Sequence, residues 1–407
     1  MAYIMSPGHD IFIKRDERMK IAVYGGSFNP PHVGHIQAVQ SVSKYLVPDK
    51  ILIMPASVPP HKALSDDTPP AEERMELCRI AFGDIAGVEI SDLEMRREGK
   101  SYTSDTILEL KAVYPGDEIL FVMGTDMLLS LETWHEPETI MANATIAVLL
   151  RGLEEDRDVD GYIDYLSKTY GAKICRLEAP VYPASSTDIR EELKQGRGRE
   201  LLRDEVYARI IKMRDYGAKA DLDWLRVRAY AMLDPRRVPH VIGCEGEAVR
   251  LAQHWGEDVY VAAAAGILHD ITKKLTVEEQ LLLCDKYGII IDMSVAGIEK
   301  TLHQITGAAM AYNEFGVSQP IREAIRWHTT GKPGMTTLEK IIYLADYIEP
   351  NRSFDGVQPL RELSYESLDR AMELGLRMTI EDLRKKGAPV LEVSGRAYEW
   401  FKNRREG

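Results

Sequence analysis

Cysteine is scarce in this sequence. The 407 residues include four cysteines, Cys78, Cys175, Cys244 and Cys284. They lie far apart without a C-x-x-C pair, so neither a disulfide framework nor a cysteine zinc site is indicated. Long apolar runs are missing as well, because the longest, Val259–Leu268, is too short to cross a bilayer. The sequence therefore predicts a reduced, cytoplasmic protein with no membrane partner.

An excess of basic residues is also lacking. Lysine and arginine number 51 against 64 aspartates and glutamates, for a net charge of −13, which argues against a nucleic-acid partner. Hydrophobic residues make up 45% and charged residues 28%, so collagen-like and disordered chains are excluded. At roughly 100–200 residues per domain, this length predicts two or three domains.

The first 18 residues contain charges and no continuous apolar core, which is not the pattern of a secretory signal. We expect them to form a dispensable, disordered leader, with the natural start at Met19.

The predicted secondary structure changes near the middle of the sequence. Residues 20 to about 214 alternate short apolar strands with amphipathic helices, which predicts a Rossmann-like, doubly wound parallel sheet with ligands at the carboxyl ends of its strands. From about 222 onward helical periodicity dominates, so the second half is predicted to be all-α. The predicted boundaries are 1–18 for the leader, 19–215 for the α/β domain, 216–221 for a linker and 222–407 for the helical domain. The predicted strands are Lys20–Tyr24, Ile51–Met54, Glu118–Val122, Thr145–Leu150 and Lys173–Arg176, and the predicted helices are 34–46, 71–82, 103–113, 160–170 and 187–195.

A turn rich in glycine and histidine follows the first predicted strand. Residues 25–35 read Gly-Gly-Ser-Phe-Asn-Pro-Pro-His-Val-Gly-His. Gly25 and Gly26 allow the backbone to approach a ligand closely, and the next helix presents N–H groups to an anion. His32 and His35 can donate to phosphoryl oxygens. A Walker A loop is excluded because no Gly-Lys-Ser/Thr follows. The alternative is a plain strand–helix turn with incidental histidines.

This turn resembles the signature of the nicotinate-nucleotide adenylyltransferases, within the H-x-G-H nucleotidyltransferase superfamily. Other segments resemble the family's remaining motifs in the right order, and the similarity covers about residues 19–214. One departure is His135, which stands where an aromatic residue is frequent. The further segments are Met54–Lys62, Ser101–Thr106, Phe121–Asp126 with Trp134, and Ser185–Arg190.

The resemblance implies transfer of AMP from ATP, bound with Mg²⁺, to nicotinate mononucleotide. The products are nicotinic acid adenine dinucleotide and pyrophosphate. Positioning and charge neutralisation dominate such a displacement at phosphorus. His32 and His35 are assigned to catalysis at the α-phosphate, and Ser185, Ser186 and Arg190 to the leaving phosphates.

Other predicted contacts surround the pyridine ring. Trp134 is expected to stack on it, while Thr103 and backbone donors hold its carboxylate and thereby select nicotinate over nicotinamide. Asp126 is expected to hold ribose hydroxyls or to orient its loop. Lys62 is expected to contact a substrate phosphate. The alternatives are simple packing for Trp134 and a solvated loop lysine for Lys62. The predicted substrate-binding residues of this half are Gly25, Gly26, Ser27, Phe28, Asn29, Lys62, Thr103, Asp126, Trp134, Ser185, Ser186 and Arg190.

Histidines and aspartates stand out in the helical half. His269 and Asp270 end the apolar run Val259–Leu268, and Asp346 lies on the apolar face of the predicted helix Leu338–Ile348. Inward carboxylates need a cation or several hydrogen bonds, so the set indicates a metal site rather than packing. The predicted metal ligands are His240, His269, Asp270, His303, His328 and Asp346.

The order of these residues resembles the HD-domain metal phosphohydrolases. Ala265–Lys273, His328–Met335 and Ala345–Arg352 resemble more closely the bacterial HD-domain symmetrical diadenosine-tetraphosphate hydrolases. This resemblance implies an all-α HD bundle with two metal ions, iron by analogy, that cleaves diadenosine tetraphosphate into two ADP.

Roles for individual residues follow from the same resemblance. Asp270 is expected to be catalytic as the bridge between both ions. Lys273 is assigned to catalysis and Arg352 to substrate phosphate, and the alternative for both is a solvated charge.

The sequence as a whole predicts a bifunctional enzyme whose partners are ATP, nicotinate mononucleotide and diadenosine tetraphosphate. The alternatives are an adenylyltransferase for nicotinamide mononucleotide or pantetheine phosphate, and a helical half that acts on another nucleotide or only senses nucleotides. Metal identity, the orientation of the halves and assembly into a homo-oligomer are left open.

Overall fold

The structure, a computed structural model, describes residues 18–58, 65–97, 99–150, 156–178, 185–295 and 297–404. The predicted leader lies outside these ranges except for its last residue. The chain divides into two compact units: the first runs to Glu192 and includes Gly198–Arg209, and the second holds Leu193–Arg197 and all residues from Ile210 onward. The domain and linker boundaries drawn from the sequence stay predictions. Within the described ranges, no helix is long and apolar enough to cross a membrane.

The first unit is built on a parallel sheet. Its strands among the described residues are β1 (Lys20–Gly26), β2 (Lys50–Pro55), β3 (Val88–Ile90), β4 (Glu118–Gly124), β5 (Thr145–Leu150) and β6 (Lys173–Glu178). They pair in the order β3-β2-β1-β4-β5-β6, every neighbour parallel. The predicted doubly wound sheet is confirmed.

The central strands are near-continuous apolar runs because helices cover both faces of such a sheet. Ile21, Ala22 and Val23 of β1 are fully or almost fully buried. The strand order reverses between β1 and β4, and in this fold the ligand crevice opens at that point, beyond the carboxyl ends of the strands. Gly26 and Gly124 end those two strands.

Helices separate the strands of this half. In the described part of the chain they are α1 (Val33–Leu46), α2 (Ala71–Phe82), α3 (Thr103–Val113), α4 (Thr125–Leu129), α5 (Pro137–Asn143), α6 (Asp156–Tyr170), α7 (Ser186–Lys194) and α8 (Asp204–Met213).

The second unit is helical throughout its described residues from Leu222 onward, as predicted. Its helices are α9 (Leu222–Met232), α10 (Val238–Trp255), α11 (Val259–Leu268), α12 (Val277–Lys286), α13 (Leu302–Glu314), α14 (Gln319–Trp327), α15 (Thr337–Ile348), α16 (Val357–Glu366), α17 (Leu368–Lys385) and α18 (Glu392–Asn403).

Local sequence explains where the site-bearing helices begin. The Asp258 side chain accepts hydrogen bonds from the first turn of α11, and Thr336 forms a capping box with Glu339 at the start of α15. At Gly266, an added Cβ would lie 2.8 Å from Glu245 Cα, so this glycine allows α10 and α11 to pack closely. The C-terminal end of α11 is thereby held against α10.

Candidate active sites

The glycine turn after β1 is held by aromatic packing and an unusual backbone. Phe28 has a positive φ of 42° and is almost fully buried. Its ring meets Phe82 edge-on with 5.7 Å between centroids and lies 5.0 Å from the ring of His35. A non-glycine residue in this backbone region stores strain that the surrounding packing must hold. Packing against Phe82 and His35 therefore holds Phe28 in this conformation.

The two histidines of the turn hold each other. His32 is the N-cap of α1, and its Nδ1 accepts a hydrogen bond from Gly34 N at 3.2 Å. The Nδ1 of His35 accepts one from His32 N, also at 3.2 Å, and the ring centroids lie 3.8 Å apart. Because both Nδ1 atoms accept, each neutral ring carries its hydrogen on Nε2. The network thus makes both histidines Nε2–H donors.

Two buried arginines bind the carbonyl groups of the turn. Arg74 on α2 donates to Ser27 O and Ala56 O at 2.8 Å each. Arg190 on α7 donates to Asn29 O at 2.8 Å. Arg190 was predicted to bind the leaving phosphates, and the structure shows its guanidinium engaged with the turn. The contacts of Arg74 were not predicted from the sequence.

The two predicted serines lie at the start of α7. The Ser186 hydroxyl donates to Pro30 O at 3.2 Å, so this residue also supports the turn. The exposed Ser185 hydroxyl lies 2.7 Å from the Asp188 carboxylate and accepts from Asp188 N, as a capping residue does. The prediction for Lys62 falls outside the described residues.

The predicted pyridine-site residues occupy other strand ends and helix starts. Thr103 is the first residue of α3, and Asp126 lies exposed in the first turn of α4. Trp134 is half-buried, with its Nε1 donating to Ser130 Oγ at 3.3 Å and its ring edge-on to Phe121. Trp134 thus stands beyond the end of β4, the strand on one side of the predicted crevice.

Glu132, two residues before Trp134, binds three tyrosine hydroxyl groups. Glu132 accepts hydrogen bonds from Tyr162 at 2.8 Å, Tyr165 at 3.2 Å and Tyr170 at 2.7 Å. Hydrogen bonds from Tyr170 and Tyr162 lower the pKa of the Glu132 carboxyl. These bonds fix the short turn that presents Trp134.

In the second unit, the predicted ligands converge on one cluster. His240 Nε2 lies 2.9 Å from Asp346 Oδ1 and 3.3 Å from His269 Nε2. Asp270 Oδ1 lies 3.5 Å from His303 Nε2 and 3.6 Å from His328 Nε2. Two overlapping groups have a spacing suited to a metal ion: His240 with His269 and Asp346, and His269 with Asp270 and His328.

For three of these histidines, a polar partner at the second ring nitrogen fixes the orientation of the ring. His240 Nδ1 lies 3.0 Å from Glu349 Oε1. His269 Nδ1 donates to Gly266 O at 2.8 Å, and His328 Nδ1 to Ile325 O at 2.7 Å. Outer partners of this kind leave Nε2 as the ligand atom and are typical of metal-binding histidines. The contact of Glu349 with His240 was not predicted from the sequence.

Electrostatics favour the protonation states that a metal needs at Asp270 and His303 but not at His269, where burial lowers the pKa while Cys244 and Asp270 raise it well above its usual value. Burial alone would raise the pKa of the Asp270 carboxyl, but the adjacent His269 helps to hold it well below its usual range. Burial, with His328 and Lys273 as neighbours, lowers the pKa of His303 to about 2. A neutral imidazole and an ionised carboxylate are the forms that bind a cation.

Three cations surround the two aspartates. Arg237 Nε donates to Asp270 Oδ2 at 2.7 Å, a contact that the sequence reading missed. Lys273 Nζ lies 2.8 Å from His303 Nε2, and Arg352 Nη2 donates to Asp346 Oδ1 at 2.7 Å. Lys273 and Arg352 therefore contact residues of the cluster, and 40% of the Lys273 side chain remains exposed to solvent.

The donor set fits a metal centre. Asp270 Oδ1 is completely buried and has no hydrogen-bond partner in the described part of the chain. Such an oxygen is costly unless a cation binds it. Imidazole and carboxylate ligands without cysteine suit zinc, iron, manganese and similar divalent ions. His254, outside the cluster, contacts the Tyr365 carbonyl instead.

Comparison with protein families matches the two halves of the chain to two different families. A cytidylyltransferase-like family model matches residues 23–192. An HD domain model matches residues 237–351, the region that contains every ligand of the cluster. HD domains bind divalent metal ions, which is consistent with the donor set.

Different relatives match the two halves of the chain. A "Probable nicotinate-nucleotide adenylyltransferase" from Exiguobacterium sibiricum is 36% identical over 194 residues, 48% of this chain and 96% of that protein. A relative of the same name from Fusobacterium nucleatum is 37% identical over 43% of this chain and 88% of its own length. The "Bis(5'-nucleosyl)-tetraphosphatase, symmetrical" of Bacillus subtilis is 38% identical over 42% of this chain and 91% of its own length. The chain therefore belongs to the nicotinate-nucleotide adenylyltransferase family over its first half and, over its second, to the HD-domain family that includes the Bacillus tetraphosphatase.

Proposed function

We propose that the first half transfers AMP from ATP to nicotinate mononucleotide. The observation that carries this proposal is the histidine pair, His32 and His35, whose Nδ1 atoms both accept backbone hydrogen bonds. Two Nε2–H donors at the start of α1 suit the oxygens of a reacting phosphate. The relatives named as nicotinate-nucleotide adenylyltransferases support the choice of substrate.

The chemistry follows from where charge develops. A phosphate oxygen of the mononucleotide attacks the ATP α-phosphorus and pyrophosphate leaves, while Mg²⁺ bound with ATP neutralises part of its charge. His32 and His35 donate to the α-phosphate, where negative charge grows in the transition state. Gly25 and Gly26 bring backbone close to the nucleotide, with Ser27, Phe28 and Asn29 forming the rest of the turn.

The other residues of this half divide between binding and support. Trp134 stacks on the pyridine ring, Thr103 at the start of α3 holds its carboxylate, and Asp126 holds ribose hydroxyls. Ser185 contacts the leaving phosphates. Arg190 acts as a positioning residue, because its guanidinium binds Asn29 O.

Replacement of His35 tests this assignment. His35→Ala should lower kcat by roughly 10²- to 10³-fold with a modest change in KM, as expected for lost transition-state stabilisation. The control is His254→Ala, a histidine of the other half outside the metal-ligand cluster. The assay follows dinucleotide formation from ATP with nicotinate mononucleotide, nicotinamide mononucleotide or phosphopantetheine. An unchanged kcat in His35→Ala, or preference for another acceptor, would contradict the proposal.

For the second half, we propose metal-dependent hydrolysis of diadenosine tetraphosphate into two ADP. The observation that carries this proposal is the convergence of His240, His269 and Asp346 with Asp270 and His328. The relative named as a symmetrical tetraphosphatase, aligned over 91% of its length, supports the substrate and the position of cleavage.

Each residue of the cluster has a defined task. His240, His269 and Asp346 would hold one ion and His303 and His328 the second, with Asp270 as a ligand available to both. When bound, the two ions, proposed to be iron, activate water and neutralise charge on the phosphate. Lys273 and Arg352, which lie at His303 and Asp346, would bind the substrate phosphates.

Product analysis distinguishes symmetrical hydrolysis by the second half from asymmetrical hydrolysis and from nucleotide sensing. The full-length protein, purified anaerobically without chelators, is analysed for metal and then incubated with diadenosine tetraphosphate. Two metal ions and ADP as the single product are expected. AMP plus ATP would exclude symmetrical cleavage, and tightly bound nucleotide without turnover would favour the sensing function.

A further inference from the structure

A cleft of about 610 Å³ opens beside the metal-ligand cluster, within the range of small-molecule sites. α15, the segment after it and α17 supply most of its lining. His328 and Asp346 of the cluster, together with Arg352, line one part of it. A phosphate held at the cluster would therefore have the rest of its molecule in or near this cleft.

Aromatic rings line another part of the cleft. The Tyr347 hydroxyl accepts a hydrogen bond from Thr379 at 3.2 Å, and its ring lies parallel to that of Tyr343. Phe354 meets Tyr347 edge-on with 5.3 Å between centroids, yet 37% of its surface stays exposed. Tyr347 is thus fixed, while Phe354 offers apolar surface to a planar ligand.

The charged lining carries both signs. Lys385, the last residue of α17, can neutralise phosphate oxygens, whereas Lys386, which follows it, is paired with Asp382 at 2.7 Å. Asp355 and Glu381 accept hydrogen bonds, and both ribose hydroxyls and exocyclic amino groups of bases donate them. A nucleoside polyphosphate combines all of these features, whereas inorganic polyphosphate would leave the aromatic surface and the carboxylates unused.

We infer that this cleft is the nucleoside subsite of the second half. The base of a nucleoside polyphosphate stacks on Phe354, which Tyr347 supports, while its phosphate lies at Arg352 and the ligand cluster. This inference rests on the proposed phosphohydrolase function and adds the residues that select a nucleotide over other phosphate compounds.

Replacement of Phe354 tests the subsite in the metal-loaded, full-length protein. Stacking of one base changes affinity by about 5- to 150-fold, so Phe354→Ala should raise KM for diadenosine tetraphosphate by that factor with kcat within about twofold. Phe354→Tyr should restore KM because it keeps the ring. Leu282→Ala, which removes another exposed apolar side chain, is the matched control and should leave KM unchanged. An unchanged KM in a folded Phe354→Ala protein would overturn the inference while leaving the hydrolase function intact.

Hydrogen exchange of the wild-type protein tests the same subsite without turnover. ADP should protect amides within residues 352–358 and 376–386 more strongly than inorganic pyrophosphate does. Equal protection by both probes, or none, would overturn the subsite. Protection by ADP in a protein that does not cleave diadenosine tetraphosphate would support the subsite and contradict the proposed hydrolysis instead.

Discussion

Gly243 of α10 faces the carboxylate of Glu349 so closely that an added Cβ would lie 2.2 Å from Glu349 Oε2. That carboxylate is almost fully buried, and its other oxygen lies 3.0 Å from His240 Nδ1. The absence of a side chain at position 243 therefore makes room for the carboxylate that orients His240, a proposed metal ligand.

Gly243→Ala should weaken metal binding by roughly 10- to 100-fold, the usual cost of disturbing the outer partner of a ligand. The control is Gly246→Ala on the same helix, where the nearest atom to an added Cβ is the end of the Arg250 side chain at 3.7 Å. That control should keep its metal and gain about 0.5–1 kcal/mol of stability from helix propensity. Metal content after dialysis and thermal unfolding give both results, and equal metal content in the two variants would contradict the role of Glu349.

Separate replacement of Asp270 and His303 should give different metal contents. Asp270→Asn should lose both ions, because this carboxylate lies near ligands of each group. His303→Ala should lose one ion and at least about 10²-fold in hydrolysis, since the two-ion arrangement is broken. Elemental analysis and ADP formation measure these effects. The adenylyltransferase rate should not change in either variant, and equal metal loss in both would argue against a bridging Asp270.

Trp134→Ala should raise KM for nicotinate mononucleotide by about 5- to 150-fold, the range for loss of one stacked ring, and spare KM for ATP. Trp134→Phe should recover most of the affinity because it keeps an aromatic face. Initial rates, with the concentration of each substrate varied in turn, give the two KM values separately. If both KM values rose together, Trp134 would be a packing residue against Phe121 and nothing more.

Stability of the first unit should depend on the ionisation of Glu94. Burial raises the pKa of this carboxyl above 4.5, against hydrogen bonds from Thr106 and the charge of Arg97. In that case the folded state binds more protons than the unfolded state, so the free energy of unfolding falls as pH rises from about 4.5 through the raised pKa. Glu94→Gln removes this dependence. Its melting temperature should match the wild type at pH 4, exceed it increasingly as pH rises through the raised pKa of Glu94 and then stay higher by a constant amount, and a difference that did not change across this range would contradict the burial effect.

The predicted elements agree with the structure where apolar periodicity is strong. The helices at 71–82 and 103–113 have the predicted bounds. β3 was missed because Val88–Ile90 is a single short edge segment, and α6 begins at Asp156 rather than 160 because its first turn is too polar to show a helical period.

Some residues of the candidate sites could be predicted from the sequence and others could not. Inward aspartates such as Asp346 contradict the apolar pattern around them and could be noticed in the sequence. Arg74 and Arg237 gave no such signal, because each acts on groups far away in the chain. Glu349 could have been found from the rule that a ligating histidine needs a partner at its other nitrogen.

The glycine turn of the first half has one further consequence. Its carbonyl groups at Ser27 and Asn29 are bound by guanidinium groups 47 and 161 positions away in the chain. An intact signature over residues 25–35 is therefore insufficient evidence of a working site. A homologue that keeps every letter of the signature but replaces Arg74 or Arg190 with an aliphatic residue would leave a buried carbonyl without its donor. Functional assignment across such homologues should check these two remote positions together with the signature.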